Sequence, residues 1–163
     1  MAIYLLGPLS HAYAVCPNCL DLLWSDVSAT LWSDVAIDPR NGEIVVVGQE
    51  ASGGPYVVRK YDRTGNRLWD VHPFAGLDSA ARSVAIDASG NILTGGLEDF
   101  NSNWLIVNLD PNGNTIWSDN FGSGNLQLEA VFDVAAGPAG QSYVGGYAGS
   151  GLRLRAYDHS GAE

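Results

Sequence analysis

The stretch "VAIDASGNILTGGLEDFNSNWLIVNLDPNGNTIWSDNFG", residues 84–122, decides the fold. With Ser83 before it, the stretch breaks into four short apolar runs, SVAID, NILTGG, NWLIVNLD and NTIWSDNF, each bounded by turn chemistry. The breaks are Ala88-Ser89-Gly90, the loop LEDFNS and Pro111-Asn112-Gly113. In the DxxGN pattern the Asp side chain caps the turn, and Gly supplies the positive φ of a tight hairpin loop with a bulge. The stretch therefore reads as a four-stranded antiparallel meander.

Working outward, the same pattern recurs. "VRKYDRTGNRLW" (58–69) lies over "IVNLDPNGNTIW" (106–117) at a spacing of 48, matching Asp62 with Asp110, Gly65 with Gly113, Asn66 with Asn114 and Trp69 with Trp117. "LRAYDHSGAE" (154–163) puts Asp158 and Gly161 in the same register. Upstream, "VAIDPRNGEIVVVG" (35–48) matches "VAIDASGNILTGG" (84–96) and "VAAGPAGQSYVGG" (134–146). Four strands in a repeat of this length describe a β-propeller blade. The expected fold class is all-β: about three four-stranded antiparallel blades, as a partial propeller or one that completes its ring by oligomerisation. The units are 35–83, 84–133 and 134–163.

On these residues the chain resembles the bacterial β-propeller repeats written VAvDxxGNvyvtG…fvvKldpxGnxlW…fG, the SBBP repeats, over residues 31–163. The first unit departs at "DPRNGE", which has one extra turn residue, and the third at "GPAGQ", where Gly137 replaces the Asp. The resemblance implies an extracytoplasmic scaffold or interaction module without a shared catalytic residue set.

The ends of the repeat raise the question of closure. The last unit holds three strands, and the chain stops at "HSGAE", where the fourth is due. At the other end, "LLWSDVSATLWSDVAID" (22–38) carries LWSDV twice, too close together for two blades. Trp24 lies 11 residues before Val35, against 15 from Trp69 to Val84 and 17 from Trp117 to Val134, so Trp24 is the counterpart of the fourth-strand tryptophans. Trp32 falls in the lead-in to the first strand, outside the register, and is the better candidate for an exposed aromatic. Residues 15–30 are then expected to hold a strand that closes the last blade. Three blades would leave apolar end faces needing a cover, from a homodimer forming a six-bladed ring, another protein chain, or further blades of a longer protein.

The N-terminus carries an apolar run from Ala2 to Leu9 followed by Ala12-Tyr13-Ala14, an A-x-A cleavage pattern, so residues 1–14 read as a signal peptide. The expected location is extracytoplasmic, periplasmic or secreted. Cleavage after Ala14 would put the two cysteines, Cys16 and Cys19, at the mature end, where a small disulfide is the plainest reading of the CxxC spacing. No second CxxC or HxxxH completes a zinc site, and Leu20 stands where covalent haem attachment requires His.

With 8 Lys plus Arg against 18 Asp plus Glu, the net charge of −10 and the scatter of basic residues exclude the usual footprint of a nucleic-acid binder. The same acidity disfavours an anionic membrane surface, so membrane contact is expected only indirectly, through a larger complex. Repeat-locked aromatics (Tyr56, Trp104, Trp69, Trp117) read as blade-to-blade core, and the DxxG carboxylates as turn caps. The most polar connection is LEDFNSN, whose Glu98, Asp99, Asn101 and Asn103, with Trp32, form the expected interaction loop. No catalytic, metal or cofactor residues emerge. The expected function is a non-catalytic binding or scaffold module, such as an accessory subunit of a larger extracytoplasmic or membrane-attached assembly. The alternative is a fragment of a propeller enzyme or lectin acting on extracellular carbohydrate.

Overall fold

The computed structural model describes residues 23–51, 53–74, 76–98, 103–122, 129–149 and 151–163. The signal-peptide reading of residues 1–14, the Cys16–Cys19 pair, Asp99 and Asn101 lie outside them. Within them the chain is all-β and forms three antiparallel sheets. Unit 1 holds β1 (Thr30–Ile37), β2 (Ile44–Glu50), β3 (Tyr56–Tyr61) and β4 (Arg67–Val71). Unit 2 holds β5 (Ala80–Ile86), β6 (Ile92–Glu98), β7 (Asn103–Leu109) and β8 (Thr115–Phe121). Unit 3 holds β9 (Ala130–Ala136), β10 (Ser142–Ala148) and β11 (Gly151–Tyr157). Each sheet is a meander in sequence order, and no barrel closes, so the described chain is a partial propeller of three blades.

The hairpins form as their turn chemistry dictates. In the β3–β4 turn, Asp62 N–H donates to the Asn66 carbonyl (2.9 Å) and Gly65 N–H to the Asp62 carbonyl (3.1 Å), with Gly65 at φ 89°. The β7–β8 turn repeats this at Asp110 and Asn114, with Gly113 at φ 87°. The extra residue in "DPRNGE" is absorbed by pairing Asp38 with Glu43. In unit 3, Gly137 keeps the same turn without a carboxylate, because Gln141 Oε1 accepts the Ala139 N–H instead (3.0 Å).

Every first strand carries a β-bulge, between Trp32 and Asp34, Ala81 and Ser83, and opposite Gly145 and Gly146. The bulge turns a carbonyl across the sheet and explains the repeated glycine that ends each "VVVG", "LTGG" or "YVGG". A Cβ on Gly48, Gly96 or Gly146 would fall on the carbonyl oxygen of Leu31, Ala80 or Ala130. This bulge also corrects the reading of Trp32. It lies inside β1, opposite Gly48, as Ala81 lies opposite Gly96 and Val131 opposite Gly146. It is in register, half-buried, with the Arg59 guanidinium 4.9 Å above its ring, so it anchors unit 1.

Period-two alternation sends one face of each sheet forward to the next unit and the other back. Val45, Val47, Tyr56 and Val58 of unit 1 meet Ala81, Val84, Leu105, Val107 and Leu109 of unit 2. Leu93, Trp104 and Ile106 of unit 2 meet Val131, Val134 and Tyr157 of unit 3. At about 1.5–3 kcal/mol per fully buried large apolar side chain, these two interfaces dominate the stability of the array.

Among the described residues the expected closing strand does not form. Residues 23–29 are not in a strand, and Trp24 packs on unit 1, with its ring 5.4 Å from Tyr61, instead of pairing with β11.

Candidate functional site

Four places bring chemistry-bearing side chains together. The first is the inner row of bulge residues. Asp34 Oδ2 accepts from Val84 N–H (2.9 Å) and faces the Ser83 hydroxyl (3.2 Å). Ser83 Oγ also lies 2.9 Å from Asp133 Oδ1 and 3.3 Å from the donating Val134 N–H. The serine sits between two carboxylates, with no histidine bonded to it among the described residues, and this is not a nucleophilic triad. The row instead ties each first strand to the next unit: the bulge side chain accepts the N–H of the valine fifty or fifty-one residues on. Sequence reasoning missed it, although the residue before each "VA" (Asp34, Ser83, Asp133) was a visible polar repeat.

The second place is a latch between the turns of units 1 and 2. Buried Asp38 accepts from Arg40 Nη2 (2.7 Å), Nε (3.0 Å) and backbone N–H (3.0 Å), and these bonds hold its carboxyl below the usual range against the opposing effect of burial. Lys60, also buried, pairs with Glu43 (2.6 Å) and donates to the Pro111 carbonyl (3.2 Å). Arg40 reaches the Ser89 carbonyl of unit 2, and Trp69 Nε1 donates to Pro111 (3.3 Å). Every charge here has a partner, as buried charges require.

The third is a clamp that occurs twice. Trp117 of β8 stacks on Tyr157 of unit 3 at 5.2 Å and lies against Gly161, while Asp119 accepts from the Tyr157 hydroxyl (2.8 Å) and faces Arg155 (3.5 Å). Trp24 lies against Tyr61 and Gly65 in the same way, and Asp26 accepts from the Tyr61 hydroxyl and from Arg59 (3.1 Å). The pattern is Trp-Ser-Asp on one segment, in β8 for the first clamp and ahead of β1 for the second, and Arg-x-Tyr on the unit it packs against. Desolvation pushes both tyrosine hydroxyls up, and the neighbouring carboxylates add to it. The two LWSDV copies thus do different work: Trp24 and Asp26 fill the clamp, whereas Trp32 and Asp34 supply the first strand and its bulge.

The expected interaction loop is described only at its ends. Glu98 and Asn103 face each other across β6 and β7, and Asn120 donates to the Glu98 carboxylate. Trp32 is not brought to this loop; it stacks under Arg59 in unit 1. Among the described residues, no group of three His, Cys, Asp or Glu side chains could hold a metal ion.

The fourth place is a surface. The forward face of unit 3 carries Tyr143, Leu152 and Leu154, with Leu152 80% and Leu154 76% exposed. The outer edge of β11 has no strand partner among the described residues. Beside it, Phe121, Arg153, Leu154, Arg155 and Glu163 line a depression in which Arg155 pairs with Glu163 (2.5 Å) and lies over the Phe121 ring (4.1 Å). No protein-family model matches the chain, and no curated protein resembles it at a meaningful level of similarity.

Proposed function

We propose that the chain is an exported, non-catalytic propeller-type module that works by binding another protein chain through the forward face of unit 3. The observation that carries this reading is the open face itself: Leu152 and Leu154 stand exposed beside an edge that is unpaired among the described residues, which in soluble proteins marks a surface meant to be covered. The acidic and hydroxyl groups with catalytic potential support it too, because they are spent on turns, bulges and inter-unit bonds. The resemblance to SBBP repeats and the A-x-A pattern at Ala12–Ala14 support an extracytoplasmic setting, as a scaffold or accessory subunit.

The reading is tested with a photo-crosslinking amino acid at Leu154, and at Thr64 as an exposed control, in the exported chain. Protein adducts from position 154 and none from 64 are expected. A chain that gives no adduct at 154, stays monomeric and resists protease would sink the binding reading. Recovery of the chain from the cytoplasm with residues 1–14 intact would sink the export reading.

A further inference from the structure

We infer that the chain covering unit 3 is a second copy of this one, joined head to tail, whose residues 23–28 add the fourth strand beside β11. The inference rests on the protein-binding reading above and names the partner. Three independent features of the molecule point the same way.

Residues 24–26 already occupy a fourth-strand position relative to unit 1. The contacts of Trp24 and Asp26 with Tyr61, Gly65 and Arg59 repeat, residue for residue, those of Trp117 and Asp119 on Tyr157, Gly161 and Arg155. Trp117 and Asp119 belong to a strand whose third-strand neighbour is β7. For Trp24 and Asp26, that neighbour is missing from the described chain.

Unit 3 presents the missing neighbour. The β7–β8 register pairs Asn108 with Trp117, Ile106 with Asp119 and Leu105 with Asn120. Carried over by the repeat, it sets Ala156 opposite Trp24, Leu154 opposite Asp26 and Arg153 opposite Val27. Val27, 95% exposed and on a segment with no strand partner of its own among the described residues, is free to make that pairing.

The two open faces also match in register. On the first strand, Val84 and Val134 are covered by the preceding unit, whereas Val35 at the same position of unit 1 is 57% exposed. On the forward side, Tyr56 and Trp104 are buried, whereas Leu152 is open. Docking unit 3 of one copy on unit 1 of the next continues the contact that units 2 and 3 already make. Two copies of the three described units, closed both ways, give six blades, inside the roughly four to eight that propellers use.

The test uses the full chain with Cys16→Ser and Cys19→Ser, purified as two single-cysteine forms, Val27→Cys and Arg153→Cys. Light scattering should give twice 17.3 kDa. Mild oxidation of the mixture should give a disulfide-linked pair joining position 27 of one chain to position 153 of the other, and neither form alone should link. Directly opposite residues on paired strands come close enough for such a bond. Leu154→Asp and Trp24→Ala should each return the chain to a monomer, with Leu154→Asp keeping the circular dichroism of the parent. A monomer at tens of micromolar, or equal linking within each single form, overturns the inference. If photo-crosslinks from position 154 then join a different protein, the binding reading survives without the second copy; if they join none, both fall.

Discussion

Units 2 and 3 carry the same residue pattern and end in opposite environments. Trp104 and Ile106 on β7 are fully buried, whereas Leu152 and Leu154, in the same places on β11, are 80% and 76% exposed. Both pairs alternate forward on a third strand, behind a bulged first strand and a second strand with its glycine at the same position, but β7 is flanked by β8 whereas β11 has no fourth strand among the described residues. Unit 3 packs on the forward face of unit 2, and no described unit packs on that of unit 3. In a repeat array each unit contributes one face to a neighbour, so an identical sequence position can be core or surface according to its place in the array.

Truncation of the two members should have very different consequences. Trp104→Ala removes a fully buried ring and strands the Tyr147 carbonyl that its Nε1 bonds at 2.8 Å. It should cost about 3–5 kcal/mol, the range for large aromatic truncations in cores. Leu152→Ala in the monomeric form should stay within about 0.5 kcal/mol, as exposed substitutions do. Urea unfolding of both variants measures it. A comparable loss at 152 in a chain kept monomeric would mean that the forward face of unit 3 is already covered within the chain.

At the bulge the units behave alike. Gly96→Ala forces a methyl onto the Ala80 carbonyl and should destabilise by about 1–3 kcal/mol, as overpacking does. Gly146→Ala meets the Ala130 carbonyl and, at 2.9 Å, the Trp104 ring, so it should lose at least as much. Thermal melts compare them. If Gly145→Ala, where a Cβ meets nothing, lost as much as Gly146→Ala, the carbonyl argument would be wrong.

What was legible in the sequence follows the same division between local and array-level causes. The turns were readable because DxxGN satisfies its own hydrogen bonds within five residues, and the burial of Tyr56 and Trp104 because their spacing matched the repeat. Trp32 was misplaced because the first strand was read as beginning at "VAID", whereas β1 begins at Thr30 and holds Trp32. The clamp of Trp24 and Asp26 on Arg59 and Tyr61 spans more than thirty positions, and only the recurrence of Trp-Ser-Asp with Arg-x-Tyr hinted at it. The closing strand was expected in this chain's own last blade. The chain instead lays the Trp24 segment on unit 1, because the clamp lies there and units 1 and 3 do not meet within the three-blade arc.

The smallest expected effect comes from the turn carboxylates, half-buried at Asp62 and Asp110 and exposed at Asp158, which matter through local bonds. Asp62 accepts from the Thr64 hydroxyl and the Asn66 amide, then from their backbone N–H groups, and these bonds hold its carboxyl far below the usual range. Asp110 is lowered by Asn114 and Asp158 by Ser160 in the same manner. A carboxylate whose pKa is lower folded than unfolded stabilises the fold above the unfolded value, near 3.9, and that stabilisation drains away as pH falls through the folded one. The melting temperature should therefore change little from this source between about pH 7 and pH 5 and drop below about pH 4. Asp62→Ala should melt below the parent at pH 7, and the gap should narrow as the pH falls below about 4. The third unit provides the internal contrast, since its Gly137 turn already lacks the carboxylate and closes through Gln141. Gln141→Ala should therefore lower the melting temperature by an amount that does not change with pH, and an acid-dependent loss there would show that the turn bonds of Asp62 are not what the pH profile reports.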